Sequence, residues 1–131
     1  MKPTGSTVNS VPITIGEHIR KKRFERGLLQ KDVAELIGVS EDSVTYWENN
    51  RATPQMHHMP KIIKFLDYIP ISVDSSTLGA RILLYRYQNG LSHKNLGILL
   101  GVNASTVCCW ERNLRKPNRN IIARLDLILR S

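Results

Sequence analysis

The chain has only two cysteines, and they are neighbours, Cys108 and Cys109. Adjacent thiols suit neither a framework disulfide nor a zinc site. A reduced, cytoplasmic setting is therefore the default expectation. No apolar run approaches the ~20 residues of a membrane span, and the first residues lack the apolar core of a signal peptide. His57 and His58 have no thiol or carboxylate at ligand spacing, so no metal and no cofactor is expected. There is no Ser/His/Asp constellation and no glycine-rich phosphate loop, which makes an enzyme the least expected class. No segment shows the alternation of a strand. Aromatic residues make up 6% of the chain. They fall mostly at helical core positions rather than as a stacking platform for RNA.

Acidic side chains are almost missing from one half. Residues 77–131 contain two, Glu111 and Asp126, against nine Lys and Arg, for a net charge of +7. Residues 14–76 hold nine of each sign and are neutral. The net charge of +8 thus belongs almost wholly to the second half. Such a balance is the usual footprint of a polyanion partner.

What the chain does have is an internal repeat. A shift of 63 positions lays residues 16–54 on 79–117 without a gap, and 14 of the 39 pairs are identical. The period is too long for a solenoid, and 131 residues are enough for two very small domains. The expected organisation is a disordered tail over 1–13, a first domain over 14–69, a linker over 70–76 and a second domain over 77–131. The tail's only cation is Lys2, too little for a minor-groove arm.

Each copy reads as helices. Thr14 and Glu17 have capping-box spacing and open a helix that Gly27 stops. Thr77 is the counterpart, with Ala80 in place of the glutamate. A second helix covers about Gln30–Ile37, with Val33, Leu36 and Ile37 as its apolar face. Leu96, Leu99 and Leu100 are the matching set. Gly38 and Gly101 follow where a left-handed residue is wanted. Ser40 and Asn103 are candidate N-caps for a third helix that points Val44 and Trp47, or Val107 and Trp110, inward. A fourth helix is expected from about Pro60 to Tyr68. A last one carries Ile121, Ile122, Leu125, Ile128 and Leu129.

The second and third helices, with a three-residue turn between them, make a helix-turn-helix. A small residue in the second helix (Ala34, Gly97) lets the third pack close. A glycine four positions on (Gly38, Gly101) makes the turn. A branched residue six further (Val44, Val107) closes the core. All three occur twice at the same spacing. Both copies, GLLQKDVAELIGVSEDSVTYWENNRATP and GLSHKNLGILLGVNASTVCCWERNLRKP, resemble the phage-repressor (Cro/Xre-like) family. The resemblance implies an all-α, lambda-repressor-like fold in two tandem domains of four to five helices each.

It also implies roles. Arg23 with Glu48, and Arg86 with Glu111, match the family's internal ion pair. The start of the second helix grips phosphate at Gln30 and Lys31, or His93 and Lys94. The third helix enters the major groove. Its base-facing positions are Glu41, Asp42, Ser43 and Tyr46, or Ala104, Ser105, Thr106 and Cys109. The loop that follows touches phosphate through Asn49 and Arg51, or through Arg112, Arg115, Lys116 and Arg119. Leu29 departs from the family's usual Ser/Thr cap, which Ser92 keeps. Gly97 replaces alanine, which on helix propensity alone costs about 1 kcal/mol.

The copies differ at the groove-facing positions. Glu41 and Asp42 would meet a phosphate field, and acids there favour the helix N-terminus as readily as cytosine. Copy two offers small neutral side chains among cations. The leading expectation is a bacterial or phage DNA-binding transcriptional regulator whose partner is double-stranded DNA. The alternative is a protein-interaction module of antitoxin-like or coactivator-like kind. Only the second copy then binds DNA, and the first holds a protein partner or a homodimer. No membrane partner is expected in either case.

Overall fold

The computed structural model describes residues 11–71 and 76–130. Most of the expected tail (1–10), the middle of the expected linker (72–75) and residue 131 lie outside them. Among the described residues every regular element is helical and none is a strand, as the sequence patterning required. Contacts divide the chain into two compact units that part between Pro70 and Ile71.

The first unit contains α1 (Ile15–Arg26), α2 (Gln30–Ile37), α3 (Glu41–Glu48) and α4 (Met59–Leu66). The capping box at the start of α1 is formed. Thr14 Oγ1 accepts from Glu17 N at 3.1 Å, and Glu17 Oε1 accepts from Ile13 N at 2.9 Å and from Thr14 N at 3.4 Å. Gly27 ends α1 at φ 65°, where an L-residue would be strained. Ile19, Val33, Ile37, Val44, Met59, Ile62 and Leu66 form the fully buried core, with Trp47 and Phe65 around them.

The second unit contains α5 (Leu78–Asn89), α6 (His93–Leu100), α7 (Ala104–Glu111) and α8 (Arg119–Leu129). Thr77 caps α5 by accepting from Ala80 N at 3.1 Å. Ile82, Leu96, Leu100, Val107, Trp110, Ile121 and Leu125 form the buried cluster. Ile19, Val33, Ile37, Val44 and Trp47 of the first core correspond at the repeat spacing to Ile82, Leu96, Leu100, Val107 and Trp110 of the second, while the core residues of α4 and α8 lie outside the repeated block.

Several expectations change. Leu36 and Leu99 are not core residues; they are 57% and 58% exposed. Their helices turn Val33, Ala34 and Ile37, or Leu96, Gly97 and Leu100, inward. At 100° per residue that face lies about 100° from position 36 or 99. Asn103 has the extended backbone of an N-cap but makes no side-chain cap bond, whereas Ser40 accepts from Ser43 N at 3.2 Å. The fourth helix ends earlier than expected, at Leu66, because Asp67 adopts the left-handed conformation at φ 68°. His57 and His58 sit in a 3₁₀ turn, Met56–His58, that leads into α4.

Gly97 has a role that propensity could not show. A Cβ there would lie 2.5 Å from the Val102 carbonyl oxygen, so α6 passes closer to the turn than an alanine permits. Gly16 and Gly79 are close-approach positions too. A Cβ would lie 1.7 Å from Trp47 O in the first unit and 2.5 Å from Trp110 O in the second. The start of each first helix is thus pressed against the end of the third.

Two predictions follow from this packing. Gly97→Ala should lower stability by about 1–3 kcal/mol through overpacking, although propensity alone predicts a gain of about 1 kcal/mol; urea unfolding decides between them. The second concerns acid. Burial pushes His18 below the ordinary histidine range, and nearby Lys21 adds to this against an opposing Glu17. His18 Nδ1 shares a hydrogen bond with the Tyr68 hydroxyl at 2.8 Å. Burial likewise lowers His58, helped by His57 and Lys61; its ring lies 5.8 Å from Trp47. Both favour the neutral form when folded, so the unfolded chain binds more protons in acid. Stability should be full above pH ~6.5 and fall as pH drops below it. Urea midpoints between pH 8 and 5 should show this fall, and His18→Gln with His58→Gln should flatten it.

Candidate nucleic-acid interface

Each unit presents one helix-turn-helix, α2–α3 or α6–α7. Leu29 supplies no side-chain cap to α2, but Asp32 Oδ2 accepts from Leu29 N at 2.9 Å and closes half of a capping box. In α6 the cap is Ser92, whose Oγ accepts from Asn95 N at 3.0 Å. Gly38 at φ 86° and Gly101 at φ 75° make the turns. Val44 and Val107 are fully buried behind them.

An ion pair ties the end of the third helix of each unit, α3 or α7, to the unit's first helix. Arg23 donates from Nε and Nη2 to Glu48, both at 2.8 Å, and from Nη1 to Leu28 O at 3.1 Å. In the second unit Arg86 donates from Nε to Glu111 Oε2, from Nη2 to Glu111 Oε1 at 3.1 Å, and from Nη1 to Leu91 O at 3.1 Å. The Glu48 side chain is 2% exposed and the Arg86 side chain 5%. Planar two-point pairing fixes both distance and orientation between the helices.

Gln30 and His93, both half-buried, also bond to this pair. Gln30 Nε2 donates to Glu48 Oε1 at 3.1 Å, and Gln30 Oε1 accepts from Thr45 Oγ1 at 2.8 Å. His93 Nε2 lies 2.9 Å from Glu111 Oε1. Position 45 is Cys108 in the second copy, so the threonine link is not repeated. The side chains expected on phosphate at these two positions are thus engaged inside the motif.

The remaining candidate residues lie on the outer face of their motifs. In the first unit Lys31, Glu41, Asp42, Tyr46, Asn49 and Arg51 are exposed, and Ser43 is half-buried with its Oγ 3.1 Å from Ser40 Oγ. In the second, Lys94, Ser105, Arg112, Arg115, Lys116 and Arg119 are exposed, while Ala104, Thr106 and Cys109 are half-buried. Among the described residues none of these six exposed side chains but the hydroxyl of Ser105 is neutral, and none forms an ion pair. Arg115 and Lys116 line a pocket of about 220 Å³ together with Leu78, Trp110 and Ile122.

Sequence reasoning missed Asn50 and Asn113. Both take the left-handed conformation just after the recognition helix, at φ 60° and 59°. Asparagine tolerates that region better than most residues, and its identity in both copies was the available signal. Behind each, the loop folds back: Arg51 N donates to Tyr46 O at 2.8 Å, and Leu114 N to Cys109 O at 2.9 Å. Asn50 also holds the start of α1. Its Nδ2 donates to Glu17 Oε2 at 2.9 Å, and its Oδ1 accepts from Thr14 Oγ1 at 2.7 Å.

Residues 19–73 match the family model described as helix-turn-helix. This supports the Cro/Xre type of helix-turn-helix for the first unit and points to a DNA-binding transcription regulator. The second copy lies beyond the matched span. No curated protein and no solved structure matches the chain. Among the described residues no helix is long and apolar enough to cross a membrane.

Breaking one side of either buried pair leaves an uncompensated charge, which costs about 3–5 kcal/mol. Arg23→Ala and Arg86→Ala should each lower stability by that order in urea unfolding, and the loss should be visible in the unit that carries the change.

Proposed function

We propose that the protein is a sequence-specific regulator that binds duplex DNA, with the recognition helix of the second unit as its main reader. The observation that supports this most directly is the surface around α7. Small side chains (Ala104, Ser105, Thr106, Cys109) line its outer positions, and Lys94, Arg112, Arg115 and Lys116 flank them without internal ion pairs among the described residues. Cations of that kind release counterions from the phosphate backbone. Serine and threonine hydroxyls can bond to either groove edge, and the Cys109 side chain can pack on a thymine methyl. The backbone amides at the start of α6 face phosphate whether or not His93 does.

The first unit plays a lesser part in DNA contact on this reading. Lys31, Asn49 and Arg51 are available to phosphate, and Ser43 and Tyr46 to bases, but Glu41 and Asp42 are exposed on the first turn of α3. Two carboxylates there oppose a phosphate backbone. The same observation favours a second reading, in which the first unit's α3 face meets a protein partner instead.

A salt titration of the full chain on its selected DNA site tests the proposal. Arg115→Ala with Lys116→Ala should weaken binding and flatten the slope of log K against log salt by about two. The equivalent loss of Lys31 and Arg51 should weaken it less. An unchanged slope in the first variant would remove this loop from the interface, and equal losses would remove the division between the units.

A further inference from the structure

We propose that the first unit binds a small organic anion in the cleft between α1 and the loop after α3. The cleft has a volume of about 480 Å³, within the ~300–1,000 Å³ typical of small-ligand sites. Its lining is mixed: Val11, Pro12, Ile13 and Phe24 are apolar, and Arg20, Lys21, Asn49 and Asn50 are cationic or polar. Two carboxylates also line it, and both are engaged within the fold. Glu48 is held by Arg23 and Gln30, and Glu17 by Asn50 and the backbone of Ile13 and Thr14.

The cations are not engaged in that way. Among the described residues neither Arg20 nor Lys21 forms an ion pair. Arg20 Nε makes no hydrogen bond within the fold. The Arg20 guanidinium lies 5.5 Å from the centre of the Phe24 ring. A carboxylate or phosphate group on a flat apolar body suits this arrangement: the anion meets Arg20, Lys21 and the Asn49 amide, and the body lies along Phe24. A DNA backbone phosphate would use the charge but leave the apolar residues uncovered.

The repeat supplies an internal comparison. The pair that holds the fold, Arg23 with Glu48, recurs as Arg86 with Glu111. Arg20 and Lys21 do not recur; Leu83 and Leu84 stand in their places, half-buried. The second unit therefore forms the same helices without these two cations. An occupant would rest against Asn49 and Asn50, which close the first recognition helix. The inference does not depend on the DNA reading.

Titration of the ¹⁵N-labelled full chain with 1-naphthyl phosphate tests it, with inorganic phosphate and 1-naphthol as partial probes. Saturable amide shifts are expected at residues 17–24 and 48–50, with each partial probe weaker by about tenfold or more. Arg20→Gln with Lys21→Gln should weaken naphthyl phosphate by about tenfold while leaving the thermal midpoint unchanged. Shifts centred on the second unit, inorganic phosphate binding as tightly, or unaltered affinity in the double variant would each overturn the proposal. Displacement of the probe by duplex DNA, together with an equal loss of DNA affinity in the double variant, would overturn it too, by making the cleft a backbone contact.

Discussion

A buried arginine–glutamate pair, formed once in each unit, is the constraint on which the rest of the structure depends. Net stability is not its main effect, because the cost of desolvating two charges largely cancels their attraction. Its effect is geometric. A guanidinium that grips a carboxylate at two points, and a backbone carbonyl at a third, permits one arrangement of the first and third helices. Gln30 or His93 then occupies the carboxylate from the side of the second helix. The glycine pressed against Trp47 or Trp110 fixes the other end of the same contact. The third helix of each unit is thus held from its C-terminal end.

On that common frame the two units have diverged at the surface. The first has acids on the opening turn of its recognition helix and cations on the flank of α1. The second has small neutral residues on the helix and cations around it. Charge follows surface position rather than fold, so duplicating the frame did not duplicate the chemistry.

The helices and turns were legible because their signals are local. Thr14 and Glu17, Gly27, Gly38 and Gly101 each act within a few residues, and each was found where expected. The ion pairs were legible for another reason: both partners recur at the repeat spacing and match a family pattern. Leu36 and Leu99 were misassigned because an apolar residue at helical spacing names a face only to within about one residue's turn. The bonds of Gln30 to Glu48 and of His93 to Glu111 were not legible, because a polar side chain at a helix start gives no sign of a carboxylate 18 positions on. The cleft at Arg20 was invisible for the same reason, since its walls come from three separate stretches of chain.

By itself, the sequence determined the helical class, the position of the turns, the duplication and the uneven charge, all properties of composition and short-range pattern. Tertiary structure alone decided which polar residues are spent on holding the recognition helix and which remain available. It also decided why Gly97 cannot be the alanine that helix propensity prefers. Those outcomes depend on distances between segments far apart in the chain, and only packing sets them.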